Sequence, residues 1–374
     1  MRFRALRRLL AFVLLGAFLR SATVALAQPS APIPAKPTGL VVVIDPSNFA
    51  DGTWKTALDN PTMSGVALQI HWSDIEPSEG NPDWSKLDEL FAAAKASKKW
   101  VQLLIFPGFF TPAWALQGVK TDSFPYQYGP GQGTVGTLPM PWDTTYLGRW
   151  FAFVKLVAAR YGSSPEFRVI AADGPTSVSA EFTLPNSADD LVKWQADGYT
   201  PSRWVAAWKT AYQTYAADFP DQYISVSVGS GLNINDKGKI GPHPHENTKQ
   251  DVVDAAMNAL GSRMALQLSD VHAGPGPNLP NSESEDQYVI GYIGQMVTGF
   301  QMRSAAIGAT RVMGAPGDAP LALSRSIGFA LEPDAAGQHV DYVEIYARDV
   351  LSDQMQSVLR DAASKFASVP SSHG

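Results

Sequence analysis

The stretch SGVALQIHWSDIEPSEGNPDWSKLDEL, from Ser64 to Leu90, combines an apolar run, a polar turn and the start of an amphipathic helix. Gly65 to Ile70 is a mainly apolar run, which is typical of a strand buried on both faces. After the turn, apolar residues recur with the period of a helix at Leu87, Leu90, Phe91 and Ala94. The stretch therefore predicts one strand–turn–helix unit. Its turn concentrates four polar or aromatic side chains: His71, Trp72, Asp74 and Glu76.

The same alternation of strand and helix recurs along the chain. The other predicted strands are Leu40–Ile44, Trp100–Phe106, Phe167–Ala172, Tyr223–Val228, Met264–Leu268, Gly299–Arg303 and Val340–Tyr346. Repeated strand–helix units predict parallel strands joined by right-handed crossovers. Eight units between residues 39 and 368 favour a closed (β/α)8 TIM barrel, as a single α/β domain, over an open sheet.

The helices between these strands have recognisable ends. Thr200-Pro201 is a capping residue followed by a first-turn proline, and Gly162 and Gly261 each follow a helical pattern. Tyr288 to Val297 fits a strand or a helix. We favour a helix, capped by Ser284 and ending near Gly299, with the following helix at about 319–331.

The longest inserts follow strands rather than helices. They are Pro107 to Asp143, Asp173 to Thr200 and Gly229 to Lys249. In a TIM barrel the loops after strands form the C-terminal rim, where active sites are built. Polar residues in these loops are therefore the first candidates for a functional site.

The N-terminal region has the pattern of an export signal. Arginines precede the apolar run LLAFVLLGAFL, and Ala25-Leu26-Ala27 is a small-x-small cleavage site. We predict a signal peptide over residues 1–27, a proline-rich linker over residues 28–38, and a secreted or periplasmic protein without a stable membrane anchor. The sequence contains no cysteine, which excludes disulfides and thiolate chemistry.

The charge balance argues against nucleic acid as a partner. The formal net charge is −6, from 29 basic and 35 acidic residues. Cleavage after Ala27 removes five arginines and leaves 24 basic residues, a net charge near −11. An acidic surface repels phosphate backbones.

At the turn after the second strand a family resemblance becomes specific. Trp72-Ser-Asp-Ile-Glu-Pro77, Gly80, Asp83-Trp84 and Leu87-Asp88 resemble the corresponding segment of retaining glycoside hydrolases of the large barrel clan, particularly the family 42 and family 5 types. The close match covers about 25 residues, and the barrel order extends it more loosely. The resemblance implies hydrolysis of O-glycosidic bonds in an oligo- or polysaccharide. It also implies a general acid/base Glu after strand four and a nucleophile Glu at the end of strand seven.

The catalytic positions depart from the family pattern. Glu181 is the best acid candidate after strand four, with Asp173 as a second, but Ala180 stands where the clan usually has Asn. The strand-seven position is Gln301, an amide that cannot form a glycosyl ester by the usual route. Two opposed carboxyl groups are needed for cleavage, one protonated and one ionised.

Strand eight offers the missing carboxylate. Glu344 lies inside an apolar run, where an ionised group is costly unless it is paired or lines a cavity. We predict Glu181 as acid and Glu344 as base, with both facing one pocket together with Trp72. The alternative for Glu344 is a buried ion pair, for example with Arg348.

Further rim residues are predicted to bind substrate. Sugar rings present apolar C–H faces that suit flat side chains beside hydrogen-bonding groups. The predicted substrate-binding residues are His71, Trp72, Trp114, Trp142, Asp173, Asp270, Gln301 and Tyr346. Phe109, Phe110, Tyr126, Tyr128 and Trp194 are additional rim aromatics, whereas Trp150, Trp204 and Trp208 lie on helix stripes and are expected in the core.

No cofactor or metal is predicted. Gly131 to Gly136 has dinucleotide-loop spacing but follows no strand, and His243 and His245 alternate with prolines in a polar loop. Two functions remain open: an exported glycoside hydrolase, or a catalytically inactive TIM barrel that binds carbohydrate. Gln301 favours the second, and the rim carboxylates favour the first.

Overall fold

Eight parallel strands close into a barrel in which every strand pairs with its neighbours in the sequence. The computed structural model describes residues 35–127, 131–241, 247–273, 283–332 and 337–368. The strands are β1 Gly39–Ile44, β2 Met63–His71, β3 Trp100–Phe106, β4 Phe167–Ala171, β5 Tyr223–Ser227, β6 Met264–Val271, β7 Val297–Met302 and β8 Tyr342–Tyr346. The predicted TIM barrel is confirmed.

Helices follow the strands and cover the outside of the barrel. The α-helices are Pro46–Asp51, Trp54–Leu58, Trp72–Ile75, Ser85–Ala96, Thr144–Tyr161, Ala188–Asp197, Pro201–Asp218, Thr248–Leu260, Glu283–Ile290, Ala306–Ala309, Ala319–Ala330, Ala347–Val350 and Gln356–Ser368. Short 3₁₀ turns span Gly108–Phe110, Ala113–Leu116, Gly261–Arg263 and Asp353–Met355. A hairpin of Thr121–Pro125 and Val135–Pro139 lies in the insert after β3. Among the described residues, no helix is long and apolar enough to cross a membrane.

The helix ends confirm the local sequence signals. The Thr200 side chain accepts a hydrogen bond from the Arg203 backbone N–H, and Pro201 occupies the first turn. Trp204 and Trp208 on this helix are fully enclosed, as is Trp150 on Thr144–Tyr161. These tryptophans form the predicted core between helices and strands.

The ambiguous segment before β7 contains both a helix and part of a strand. The helix begins at Glu283, so Ser284 lies inside it and is not its cap, and it ends at Ile290. Gly294 then adopts a left-handed φ of 77°, and a Cβ there would lie 2.5 Å from the Gln338 side chain. A turn is therefore required before β7, which begins at Val297, two residues earlier than predicted.

The N-terminal end of the described chain contacts the base of the barrel. The Lys36 ammonium group pairs with Asp341 at 2.6 Å, and the Trp100 indole donates to the Thr38 carbonyl. Ordered contacts thus begin before Gly39. The predicted signal peptide lies outside the described residues.

Candidate functional site

The inner face of the barrel mixes apolar side chains with an unusual number of polar ones, whereas branched apolar side chains usually fill a TIM barrel. Alternate residues on each strand point inward, and several of these are amides, hydroxyls or a carboxyl. The inner-face polar residues are Gln69, Gln102, Ser225, Ser227, Gln267, Gln301, Tyr342, Glu344 and Tyr346. Burying this many polar groups is unfavourable for folding alone, because each must find a partner.

Glu344 is one of these inner-face residues and is 0% exposed. Its Oε1 accepts a hydrogen bond from Gln267 Nε2 at 2.9 Å, and Gln267 Oε1 in turn accepts from Gln102 and Tyr342. Glu344 Oε2 is buried and has no hydrogen-bond partner in the described structure. The carboxyl therefore faces the barrel interior, where it is enclosed, and its partner is Gln267 rather than Arg348. That it lines one pocket with Glu181 stays a prediction.

Burial favours the protonated form of the Glu344 carboxyl and raises its pKa. Desolvation, with a smaller contribution from the negative charge of Glu181, raises the pKa of Glu344 to about 8. The hydrogen bond from Gln267 opposes the shift. At neutral pH Glu344 is mostly protonated, which does not fit the base role expected from the sequence.

Gln301 occupies the inner face of β7 next to Glu344, its register partner on β8. The Gln301 Oε1 atom accepts from Gln69 Nε2 at 3.2 Å, and its Nε2 donates to the Tyr346 hydroxyl at 3.0 Å. Gln301 is 5% exposed. The strand-seven position thus carries an amide that links β2, β7 and β8.

Glu181 reaches the barrel mouth, the end at which the strands have their carboxyl termini, through a loop that returns to the sheet. The chain leaves β4 after Ala171, and Glu181 then forms a parallel bridge with Ser227 at the end of β5. The Phe182 N–H donates to the Ser227 carbonyl at 3.3 Å, and Thr176 Oγ1 donates to the Glu181 carbonyl at 2.7 Å. These bonds hold a half-buried carboxylate beside the strand ends.

The environment of Glu181 combines a hydroxyl donor and an apolar neighbour. Ser179 Oγ donates a hydrogen bond to Glu181 Oε2. Ala180 is buried in the cluster that fills the barrel interior. The charge of Glu181 raises the pKa of Glu344 and of Tyr346, so these groups share one electrostatic environment.

Asp173 is enclosed on the helix side of the barrel rather than at the mouth. It is 0% exposed, its Oδ1 accepts from the Gly174 N–H, and its Oδ2 has no partner. Burial raises the pKa of Asp173 well above its ordinary value, and the charge of Glu181 adds a smaller contribution. Burial likewise raises the pKa values of Tyr212 and Tyr215 on the helix Pro201–Asp218 beside it. Asp173 presents no surface to a ligand, so the structure gives it no contact with a substrate.

Trp72 likewise does not face a pocket, which corrects the sequence prediction. It is 0% exposed and lies among Trp114, Trp150 and Phe153 with ring centroids 5.2–5.7 Å away. Its indole N–H donates to Glu76 Oε2 at 3.0 Å. The large ring fills the space between the turn after β2 and the helix layer.

The turn after β2 is held in place by hydrogen bonds to Glu76, and its role is mainly structural. Glu76 is 3% exposed, and besides Trp72 it accepts from the Gly80 N–H through Oε1. The Trp114 indole donates to the Glu76 carbonyl at 3.0 Å. Trp114 is half-buried against this turn, and its predicted contact with substrate remains a prediction.

Two other tryptophans of the rim lie beneath the inserts. Trp194 is 0% exposed and donates to the Pro185 carbonyl. Trp142 is half-buried between Trp194 and Tyr199, with the Arg203 guanidinium 5.7 Å above its ring. These contacts pack the inserts onto the barrel.

The remaining predicted residues surround the mouth on different sides. His71 ends β2 and stacks on Phe110 at 3.7 Å between ring centroids. Asp270 near the end of β6 is exposed and pairs with Arg303 at 3.4 Å, while the Arg303 Nη1 contacts His272 Nε2 at 3.2 Å. Tyr346 ends β8. Tyr128, His243 and His245 lie outside the described residues.

Sequence inspection missed the glutamines of the inner face. Gln102, Gln267 and Gln69 interrupt apolar strands in WVQLLIF, MALQLSDV and MSGVALQIH. The argument applied to Glu344, that a polar group in a buried strand needs a partner or a cavity, would have found them. Ser179, which hydrogen-bonds to Glu181, carries no comparable signal.

Comparison with known proteins supports the fold through structure alone. No family model and no curated protein matches the sequence. The fold resembles a β-galactosidase from the Antarctic haloarchaeon Halorubrum lacusprofundi, with a TM-score of 0.56 and 13% identity over 89% of this chain and 58% of that one. It also resembles a β-galactosidase from the psychrophilic Marinomonas ef1, with a TM-score of 0.52 and 12% identity over 87% of this chain and 59% of that one.

A third similar structure is the exo-β-1,4-mannosidase Op5Man5 from Opitutaceae bacterium strain TAV5. The TM-score is 0.52 and the identity 14%, over 90% of this chain and 62% of that one. The chain thus spans about three fifths of the length of these proteins. The likeness shows that this chain shares the TIM-barrel fold of these two β-galactosidases and this mannosidase.

Proposed function

We propose that this protein is an exported glycoside hydrolase, related to the family 42 and family 5 types, that cleaves O-glycosidic bonds of an oligo- or polysaccharide. One observation carries the proposal: a half-exposed carboxylate, Glu181, is bridged to the end of β5 at the barrel mouth, and the barrel interior encloses a second carboxyl, Glu344, whose Oε2 atom has no partner. Paired carboxyls with separated pKa values are the requirement for acid/base cleavage of a glycoside.

The electrostatics assign roles opposite to those expected from the sequence. Glu344 is the proton donor, because burial raises its pKa to about 8, and Glu181 is the base. The Oε2 atom of Glu344 lacks a protein partner, so a substrate oxygen or a water would satisfy it. Gln301 beside it cannot form a glycosyl ester, which favours activation of water by Glu181 and an inverted product.

Hydrolysis of a panel of oligosaccharides, followed by reducing-end release and by NMR of the product anomer, tests this proposal. We expect Glu181→Gln and Glu344→Gln to lower kcat by about 10²–10⁴-fold, as for loss of an acid or base. Glu79→Gln, an exposed carboxylate of the turn after β2, is the matched control and should leave kcat unchanged. Equal rates in all three variants would contradict the assignment, and a covalent glycosyl-enzyme would exclude the inverting route.

The pH–rate profile separates the two role assignments. If Glu344 is the acid, kcat/KM should fall as the pH rises through about 8, because the proton to be donated is lost. If Glu344 were the base, kcat/KM would rise through the same range. Measurement between pH 5 and 10 in wild type decides between these outcomes.

A second candidate is binding of carbohydrate without cleavage. It is favoured by the complete burial of Glu344 and by the amide at position 301. Calorimetry with the same oligosaccharides should then show binding by wild type and no product. Gain of cleavage in Gln301→Glu would support a silenced hydrolase, and a protein that neither binds nor cleaves any saccharide would contradict both functions.

Export is part of the proposal because of the N-terminal sequence. Cleavage after Ala27 would give a mature chain that begins at Gln28. Mass spectrometry of the intact protein from the medium or the periplasm should find that terminus. Recovery of the full chain in the cytoplasm, with Met1 present, would contradict it.

A further inference from the structure

Four aromatic rings form a continuous surface at one side of the barrel mouth, here called the aromatic wall: His71, Phe109, Phe110 and Tyr126. His71 stacks on Phe110 at 3.7 Å and 7°, and Tyr126 stacks on Phe109 at 4.2 Å and 25°. Phe110 and Tyr126 join the two pairs at 6.1 Å. All four residues are only partly buried, unlike the enclosed tryptophans of the helix layer.

The wall is continuous with the candidate site. Phe110 and Tyr346 both pack on the cluster that fills the barrel interior, so they lie at the upper end of that interior. The Phe109 N–H donates to the Ser177 carbonyl at 2.9 Å, in the loop that carries Glu181. Gly108 has a φ of 54°, and a Cβ there would lie 2.0 Å from the same carbonyl. This close approach, which only glycine permits, joins the wall to the Glu181 loop.

The hairpin holds the outer half of the wall in place. The Tyr126 N–H donates to the Thr134 carbonyl at 2.8 Å, and Tyr126 accepts from the Gly133 N–H at 2.9 Å. A Cβ on Gly136 would lie 2.6 Å from Tyr126 Cε2 and 2.9 Å from Phe109 Cδ1. Gly136 thus lies directly against both rings.

The chemistry of the wall suits an uncharged sugar. Burial lowers the pKa of His71, partly opposed by the charge of Asp74, so the imidazole is neutral at neutral pH. Each stacked pair covers the facing sides of its two rings, so their outer faces and edges remain for a ligand. Apolar ring surface beside a hydrogen-bonding nitrogen favours the C–H face of a pyranose ring, and the opposite charges of Asp74 and Lys86 near His71 give no single sign of charge that would select an ionised sugar.

We propose that the aromatic wall is a subsite for a neutral hexopyranose unit of the saccharide, beside the unit that contacts Glu181. The proposal rests on the proposed function, since it assumes that the ligand is a saccharide. The wall would position the chain for cleavage without taking part in proton transfer.

The test compares wild type with Phe110→Ala, Tyr126→Ala and Tyr126→Phe, using the mature protein and neutral oligosaccharides of two to six hexose units. Loss of one stacking ring should weaken binding, measured as Kd by calorimetry or as KM, on the order of 10-fold, with little change in kcat. Tyr126→Phe keeps the ring and should bind as wild type does. Val135→Ala, a 69% exposed position on the same hairpin, is the matched control and should also bind normally.

The length of the ligand adds a readout that a general loss of structure would not give. The weakening should be absent for the shortest oligosaccharide that binds and present for longer ones, because only the latter reach the wall. If Tyr126→Ala does not fold, Tyr126→Leu fills the space without a planar face and serves instead. Equal Kd values for Phe110→Ala and wild type at every length would overturn the wall but not the proposed function. Failure of wild type to bind any saccharide would overturn both.

Discussion

The two faces of the same eight strands differ in chemistry, and the difference separates folding from function. The outer face and the helices share one large apolar cluster, in which Val42 and Trp150 are fully enclosed. The inner face alternates apolar residues with glutamines and Glu344, whose hydrogen bonds to one another leave Glu344 Oε2 and Gln102 Oε1 without partners. The outer layer also has unpartnered buried atoms, but those of Trp208 and Tyr212 belong to aromatic rings packed in the apolar cluster. Burial of apolar area explains the first face. The second carries a cost that a purely structural core would avoid, which is the reason to place function there.

The largest expected effect of a single substitution on stability belongs to the outer face. Trp150→Ala removes a ring that contacts Trp72 and Phe153 and whose indole donates to the Asp173 carbonyl at 3.0 Å. We expect a loss of about 3–5 kcal/mol in the free energy of unfolding. Urea denaturation measures it, with the exposed Val135→Ala as the control expected within about 0.5 kcal/mol of wild type. A small loss at Trp150 would mean that the helix layer contributes less than its burial implies.

The buried carboxyl of Glu344 on the inner face should make the free energy of unfolding depend on pH. Because the pKa of Glu344 is raised from 4.5 to about 8, the folded protein holds this proton more tightly than the unfolded chain does. The contribution of Glu344 is therefore most favourable below about pH 4.5 and is lost as the pH rises to about 8. Within that window, each unit by which the pH rises lowers the free energy of unfolding by up to about 1.4 kcal/mol.

Glu344→Gln should remove this slope. Asp173 and Asp341 also have raised pKa values and contribute slopes of the same sign, so the difference between wild type and variant isolates Glu344. Urea denaturation at pH 5, 6, 7 and 8 gives the two curves. They should converge or cross as the pH falls; parallel curves would show that Glu344 titrates normally in the folded protein.

The sequence predicted the outer face more fully than the inner one. Apolar runs and helical periodicity place all eight strands, because local patterns determine which residues enter a sheet. The protonation of Glu344 depends instead on neighbours far along the chain, such as Gln267, and on complete burial in a closed barrel. The position of Glu181 depends on a loop that returns to pair with Ser227, a long-range contact with no local signature. For the same reason Trp72, which the turn motif placed at the site, lies in the core.

The hairpin after β3 packs against the aromatic wall through Gly136, so the stability of the protein should be sensitive to volume added at this position. Gly136→Ala places a methyl group where Tyr126 Cε2 would lie 2.6 Å away. We expect a loss of about 1–3 kcal/mol in the free energy of unfolding, as for overpacking, unless the rings move. Gly148→Ala, at a helix position with open space around the added Cβ, is the control and should not destabilise. Equal stability of both variants would indicate that Tyr126 and Phe109 shift readily, and would weaken the case for a fixed aromatic wall.

The smallest expected effect gives the most direct test of the comparison, because it uses adjacent residues of β1. Val41 lies in the inner cluster and pairs in register with Glu344, whereas Val42 lies in the outer cluster, and both are 0% exposed. Val→Thr keeps the shape and adds a hydroxyl that must find a partner or be buried without one. At position 42 the apolar surroundings predict a loss of about 1–3 kcal/mol in the free energy of unfolding. At position 41 the hydroxyl can hydrogen-bond to the neighbouring Glu344 carboxyl, whose Oε2 lacks a partner, so the loss should be smaller by about 1 kcal/mol.

Urea denaturation of both variants at pH 7 measures the difference, and repeating it in the Glu344→Leu background should abolish the advantage of position 41. Equal losses at the two positions would mean that the inner face is as intolerant of added polar groups as the outer one, and the distinction between the two faces would fail.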